Sequence, residues 1–391
     1  MSDFSKRINS IYNNTRVRVI FFQGATIAIL VVIFASVIVN MFANMERRGI
    51  PVGFDFLSEE ANFGILQTLI YYTETSNYVR VFWVGVINTA VVAVAGIFLV
   101  TVIGFTVGIA RLSQSWLMVK LTIVYIEIFR NIPILLQILF WNSILRTVLP
   151  KPTEPLKLGS NMYLSIKSLV IPKLAPTPLF FVMLGLLVVL FVAIWYINRF
   201  SKNYLDRTGK TIPNITINLG LVGIYIVAVV VLFGNIFVIV DPVPSKFGYT
   251  GGSDIILEFI ALTFALSFYH ATYIAEQVRA SIEAVDKGQK ESALALGLKP
   301  SFVMRIVVLP QALRSTIPPL TNQYLNLTKN SSLATAIGYP DLVSVFAGTA
   351  LNQTGRAVEI MFMTMAVYLM FSLTISVIMN WYNKRVKLVE R

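Results

Sequence analysis

The chain has 391 residues, of which 56% are hydrophobic and only 13% charged, whereas soluble domains run at about 45–50% and about 25%. So little charge cannot clothe a water-soluble globule, and the same composition excludes disordered and collagen-like chains; the absence of cysteine and the single histidine, His270, exclude disulfides, thiol chemistry, Fe–S clusters and His-rich metal sites. The net charge of +13 points to nucleic acid, anionic lipid or an acidic partner, and its distribution along the chain decides among them.

Eight apolar stretches approach or exceed the roughly 20 residues that a helix needs to cross a bilayer. They cover residues 19–41, 84–110, 123–145, 179–197, 215–240, 255–275, 317–337 and 358–380. The sequence therefore predicts an all-α membrane protein of about eight transmembrane helices. The first stretch is too long for a signal peptide and precedes no small-residue cleavage pattern, so it reads as a true span. Between spans, residues 42–83 (with Tyr71 and Tyr72) and the proline-rich residues 150–178 read either as solvated connectors or as docking surfaces for an outside partner. Glu258 and Glu359, near outer span ends, read as solvated. No internal repeat is visible.

With the N-terminus inside, 20 of the 32 basic residues fall on inner segments and ten on outer ones, while Arg130 and Lys329 lie within spans. The positive-inside rule then predicts both termini in the cytoplasm. The excess charge marks a membrane face and calls for no nucleic acid.

Charges within spans are costly and usually face protein or water. In the third, Glu127 and Arg130 stand at i, i+3 and can pair; Asn131 and Pro133 follow, and Pro133 removes a backbone donor. In the seventh, Asn326, Thr328, Lys329, Asn330, Ser331 and Ser332 form a polar cluster. Two readings stand for each set. Glu127–Arg130 is a structural ion pair and Lys329 snorkels or pairs with a neighbour, or both spans border a transport pathway. In the second reading Arg130 and Lys329 supply donors, and Glu127, Asn330 and the freed carbonyls at Ile132–Pro133 supply acceptors. His270 reads as hydrogen-bonded packing.

The largest inner loop, 276–316, alternates helix-forming stretches with breakers at Gly288, Gly297, Pro300 and Pro310. Ala293, Leu294, Ala295 and Leu296 form a short helical set stopped by glycine. Such a unit either inserts into a groove of a partner or lies on the lipid surface.

Glu291-Ser292-Ala293, three residues, Gly297, nine residues, then Val307-Val308-Leu309-Pro310 resembles the EAA signature of ABC importer permeases, EAA-x3-G-x9-I-x-LP. Ser292 replaces the first Ala and Val307 the Ile. The longer string GQKESALALGLKPSFVMRIVVLPQALRSTIPPLTNQYLNLTKNSSL and the third-span string YIEIFRNIPILLQILFW are similar to the polar-amino-acid branch of that family. The likeness covers residues 83–141 and 255–380.

The resemblance implies a type I importer permease core of five spans, here with an added N-terminal span and an inserted hairpin, as in the long general L-amino-acid (Glu, Gln, Asp, Asn) uptake subtype. It divides the chain into residues 1–83 (tail, first span and periplasmic segment), 84–149 (first part of the core), 150–254 (inserted periplasmic segment and hairpin) and 255–391 (second part of the core, with the coupling loop 276–316). It implies that Glu291, Ala293, Leu294, Gly297 and Leu298 contact an ATPase, Gly297 by letting a partner approach closely. It implies as partners two ATP-binding subunits that hold ATP and Mg, a second and non-identical permease, a periplasmic amino-acid-binding protein, the amino-acid substrate and membrane lipid, at the bacterial inner membrane. This chain itself would hold no cofactor and catalyse no covalent chemistry.

The rival classes lack their residues. Gly209-Lys210-Thr211 has Tyr204 where a P-loop needs glycine. A G-x-S-x-G elbow is absent. An ATP-independent carrier or channel for small polar solutes is the remaining alternative; it needs no coupling loop, and carriers usually show repeat symmetry.

Overall fold

A computed structural model describes residues 15–209, 213–245 and 248–386. The expected cytoplasmic termini end in 1–14 and 387–391, and Lys210 and Thr211 of the P-loop-like string fall in 210–212; all lie outside the described residues. Among the described residues ten α-helices of eight residues or more carry the fold: α1 (Thr15–Arg47), α2 (Tyr78–Ala110), α3 (Trp116–Asn131), α4 (Ile134–Val148), α5 (Pro178–Thr208), α6 (Asn214–Val231), α7 (Leu257–Glu283), α8 (Lys287–Ala295), α9 (Leu309–Asn330) and α10 (Ala357–Val386). Among the described residues, six of them (α1, α2, α5, α6, α7 and α10) are long and apolar enough to cross a membrane, or seven spans if α3 and α4 count as one broken span. The seventh expected stretch, 317–337, lies in α9 and the 3₁₀ turns that continue it (Ser331–Ile337). Asn322, Gln323, Asn326, Lys329 and Asn330 make it too polar to rank with the others.

The third expected span is not one straight helix. α3 and α4 meet at a bend of 106°, because Pro133 lacks an N–H and pushes Ile132 out of the helical region, to φ −91° and ψ 128°. The fifth is shorter than expected. The apolar run 215–240 leaves the helix at Val231, and its Phe237–Val240 end becomes a strand. A β-branched apolar run does not distinguish strand from buried helix by periodicity.

α7 is the central helix. In its most apolar window 67% of residues are buried, against none in α1 or α6 and 6% in α5. α2, α4 and α9 pack on it and α10 packs on α9, while α5 and α6 pack mainly on each other. The approach of α2 to α7 is set by glycine. A Cβ on Gly104 would sit 2.6 Å from Cβ of Ile274, and one on Gly108 2.8 Å from the Ala275 carbonyl oxygen. Small residues let helices approach in lipid, where dispersion rather than water exclusion drives association.

The segments outside the helices are more structured than connectors. Short strands β1 (Leu156–Lys157), β2 (Tyr163–Leu164), β3 (Ser168–Ile171), β4 (Lys173–Pro176), β5 (Phe237–Val240), β6 (Val243–Ser245), β7 (Gly248–Thr250) and β8 (Ser253–Ile256) flank the α5–α6 hairpin. They pair antiparallel as a sheet in the order β1-β2-β3-β8 and as the hairpins β4-β5 and β6-β7. Rings of Tyr163 and Tyr249 stack at 4.2 Å.

Residues 51–77 are likewise folded onto the core: Phe56 is buried with Tyr78 and Phe346. The two outer carboxylates read as solvated are both buried. Glu258 pairs with Arg146 of α4, and Glu359 accepts from the backbone N–H of Gly53 at 2.5 Å.

Candidate coupling segment and polar path

The coupling loop starts later than expected, because α7 continues to Glu283. Asp286 then caps α8, its carboxylate accepting from the Gly288 N–H at 2.6 Å. At the other end the Leu298 N–H donates to the Ala293 carbonyl at 3.3 Å and the Gly297 N–H to the Leu294 carbonyl at 2.9 Å. Gly297 has φ +79°. This is a Schellman motif, which favours a residue free of Cβ strain at that position. The glycine thus has a conformational reason of its own, and the space where a Cβ would project is open for 4 Å.

Four of the five residues expected to meet an ATPase, Glu291, Leu294, Gly297 and Leu298, are exposed. Ala293 is not: it is 6% exposed and belongs to the cluster of Val303, Val308 and Ala312. Its methyl seats α8 on the chain's own core. Leu296, 83% exposed, is the most exposed of the large apolar side chains here, and the sequence reading left it out of the contact set. Its place between Leu294 and Leu298 in the ALALGL string was the available signal. Downstream, residues Val303–Val308 adopt a π-helical turn leading into α9. Pro310 does not break the chain as expected: the π-helical turn runs directly into α9, and the helix continues through it.

At the α3–α4 elbow the expected Glu127–Arg130 pair is absent. Glu127 accepts from the Asn131 side chain at 3.1 Å, and the Arg130 guanidinium lies 5.3 Å over the Tyr273 ring of α7. Nor are the elbow carbonyls free. Gln137, one turn into α4, donates through Nε2 to the carbonyls of Phe129 at 2.7 Å and Ile132 at 2.8 Å. Phe129 would have bonded the N–H that Pro133 lacks. The sequence signal was an amide side chain four residues past the proline.

In α9 the side chains divide by face. Leu320, Tyr324, Leu327 and Thr328 are buried, and Tyr324 shares a hydrogen bond of 2.7 Å with Thr101 of α2. Ser315, Asn322, Asn326 and Lys329 are exposed along one stripe at helical spacing. Asn330 donates through Nδ2 to Nε2 of His270 at 3.1 Å. The imidazole therefore carries its proton on Nδ1, 3.1 Å from Oε1 of Gln323. His270 is a buried tie between α7 and α9, and Asn330 is engaged in it. Ser331 is buried and donates to the Thr328 carbonyl at 2.7 Å. Of the seventh-span candidates, Asn326 and Lys329 thus reach the surface. Lys329 lines a groove of about 450 Å³ with Ser332, Val343, Thr364, Tyr368 and Ser372.

One carboxylate went unnoticed in the sequence. Asp341, after the 3₁₀ turns, is fully buried; it accepts from the Ser344 N–H at 2.9 Å and from the Tyr368 hydroxyl at 3.3 Å. Burial pushes its pKa up to about 7. It caps a second π-helical segment, Val343–Ala350.

Residues 101–388 match the family described as the binding-protein-dependent transport system inner membrane component. The chain is 47% identical over 378 residues to the general L-amino acid transport system permease protein AapQ of Rhizobium johnstonii, covering 96% of this chain and 93% of that protein. It is 45% identical over 383 residues to the putative amino-acid ABC transporter permease protein YhdX of Escherichia coli, covering 97% of each. It is 38% identical over 416 residues to the glutamate/glutamine/aspartate/asparagine transport system permease protein BztB of Rhodobacter capsulatus, covering 98% and 97%. The chain belongs to the family of binding-protein-dependent transport system inner membrane components and is a multi-pass permease subunit of an ABC importer, a family whose members work with an ATPase and a binding protein.

Proposed function

We propose that this chain forms half of the pathway of an importer for polar L-amino acids, glutamate, glutamine, aspartate and asparagine among them. A related but non-identical permease supplies the other half. Two separate subunits bind ATP with Mg and hydrolyse it, and a periplasmic amino-acid-binding protein delivers substrate. Both termini of this chain face the cytoplasm. The names of the relatives support the substrate class, and the distribution of Lys and Arg supports the orientation.

The observation that carries the reading is α8 itself. It is a short helix, capped at both ends and held by Ala293, that offers Leu294, Leu296 and Leu298 to solvent on a polar chain segment. Exposed leucines on a rigid peg fit a groove in another protein. Closure of the ATPase pair on ATP moves the two coupling helices and opens the path outward; hydrolysis resets it. For this the ATPase must bind the two permease conformations with different free energy. The exposed stripe of Asn322, Asn326 and Lys329 in α9, with the α3–α4 elbow that carries Glu127, Arg130, Asn131 and Pro133, borders the path.

The test is reconstitution of the purified complex in proteoliposomes with labelled glutamate, glutamine, aspartate and asparagine. Uptake that needs ATP inside and binding protein outside is expected, with loss of assembly when Leu296 is changed to Asp. Nucleotide-free transport by this chain alone would overturn the reading.

A further inference from the structure

All four ion pairs among the described residues involve α7. At its outer end Glu258 holds Arg146 of α4. The inner end is more elaborate. Glu276 accepts through Oε2 from Nη1 of Arg111, the residue that closes α2. Through Oε1 it accepts from Nη2 of Arg279 at 2.5 Å and from Nε at 3.2 Å. Arg279 also donates to Glu283.

A third guanidinium lies nearby. Arg130, at the end of α3, lies over the ring of Tyr273, one turn before Glu276 on α7. One carboxylate thus pairs with arginines from α2 and from its own helix, and the elbow docks its own arginine one turn away. Its place in the chain matters: α7 ends about two turns beyond it, α8 follows at Lys287, and Lys290 of α8 donates to the Ile282 carbonyl at 3.5 Å. The inner end of α7 is where the coupling helix, the base of α2 and the elbow meet.

The centre is half-buried, so its charges are screened less than surface pairs. It is also asymmetric. Removing Arg111 leaves Glu276 paired with Arg279. Removing the charge of Glu276 leaves the Arg111 and Arg279 guanidiniums facing one another, and their repulsion favours separation of the elements that carry them.

We propose that Glu276 is the positioning residue that makes α2 and the coupling segment move as one body when the ATPase closes. This rests on the reading of α8 as the coupling helix and names the part of the permease that receives its motion.

The test uses the reconstituted complex, with substrate imported per ATP hydrolysed as the readout. In Glu276→Gln the complex is expected to co-purify and hydrolyse ATP, while import per ATP falls about tenfold. Glu276→Asp should recover most of it. Arg111→Gln should lose less, and the double variant no more than Glu276→Gln alone. Import per ATP unchanged in Glu276→Gln, or losses that simply add in the double variant, would overturn the proposal. If Glu276→Gln does not assemble, Arg111→Gln decides by itself: a several-fold loss supports the joint and wild-type coupling sinks it.

A second measurement stands apart from transport. The cysteine-free chain accepts spin labels through Ser113→Cys after α2 and Ser292→Cys on α8. A narrow distance distribution in the purified full chain is expected to broaden in Glu276→Gln. A distribution that stays narrow refutes the joint, whereas a wild-type complex without ATP-dependent uptake refutes the transport reading.

Discussion

Gln137 donates its side-chain amide across Pro133 to the carbonyl of Ile132, at 2.8 Å. The same nitrogen serves Phe129 at 2.7 Å, so one amide satisfies both carbonyls that the bend would leave without partners. The elbow is therefore a closed structural unit, not a row of free acceptors. Its Gln137 Oε1 is itself buried without a partner, which offsets part of the gain. Gln137→Leu is expected to lower the stability of the purified chain by about 1–3 kcal/mol, since it exchanges one orphan acceptor for two. Thermal unfolding in detergent measures it. Adding Pro133→Ala should recover part of the loss, because the restored N–H at 133 serves Phe129.

At Gly297 the φ of +79° would cost a residue with a Cβ about 1–2 kcal/mol. The surroundings are open, so Gly297→Ala is expected to spare the melting temperature of the whole chain and to loosen the end of α8. Import per ATP should fall. Gly297→Asn should fall less, since asparagine tolerates the left-handed region.

The α2–α7 contact predicts the opposite pattern. Gly104→Ala forces a methyl to within 2.6 Å of Ile274 and is expected to destabilise the chain by about 1–3 kcal/mol. Gly220→Ala in α6, with nothing within 4 Å, is the control and should leave the melting curve in place.

Asp341 gives a pH dependence of defined sign. Its pKa is raised from 3.8 to about 7 by burial, so between those values the folded state holds a proton that the unfolded state has released. Stability from this group is therefore highest at low pH, falls as pH rises through that window, and levels off above about pH 7. Asp341→Asn keeps an acceptor for Ser344 and removes the titration. The melting temperature of the wild type, relative to Asp341→Asn, should decline between pH 4 and 7; a constant difference would contradict the assignment.

What could be read from the sequence follows from the range of each interaction. The α8 unit was legible because its stop signal, Gly297, acts within one turn. The bend was foreshadowed by Pro133, whose effect is local, but its depth and the role of Gln137 depend on a side chain reaching back over a turn. Glu127 and Arg130 have the spacing of a pair, and Tyr273, far along the chain, takes Arg130 instead. Burial of Glu258, Glu359 and Asp341 is likewise tertiary. The strands β1 to β8 are two to four residues long, too short to show an alternating pattern, and the apolar end of β5 is indistinguishable from the helix before it. The polar stripe of α9 was visible as a cluster. Its division into exposed Asn326 and Lys329 and engaged Asn330 needed His270 in place.

The pairing of β3 with β8 puts Ile171 opposite Ser253. The chain thus leaves the core at one point of a small sheet and returns beside it, after a detour through two helices that, among the described residues, pack mainly on each other. Such a detour closes on itself. Its two ends are held as hydrogen-bonded neighbours at the head of α7, so the span between them starts and finishes at one place on the core.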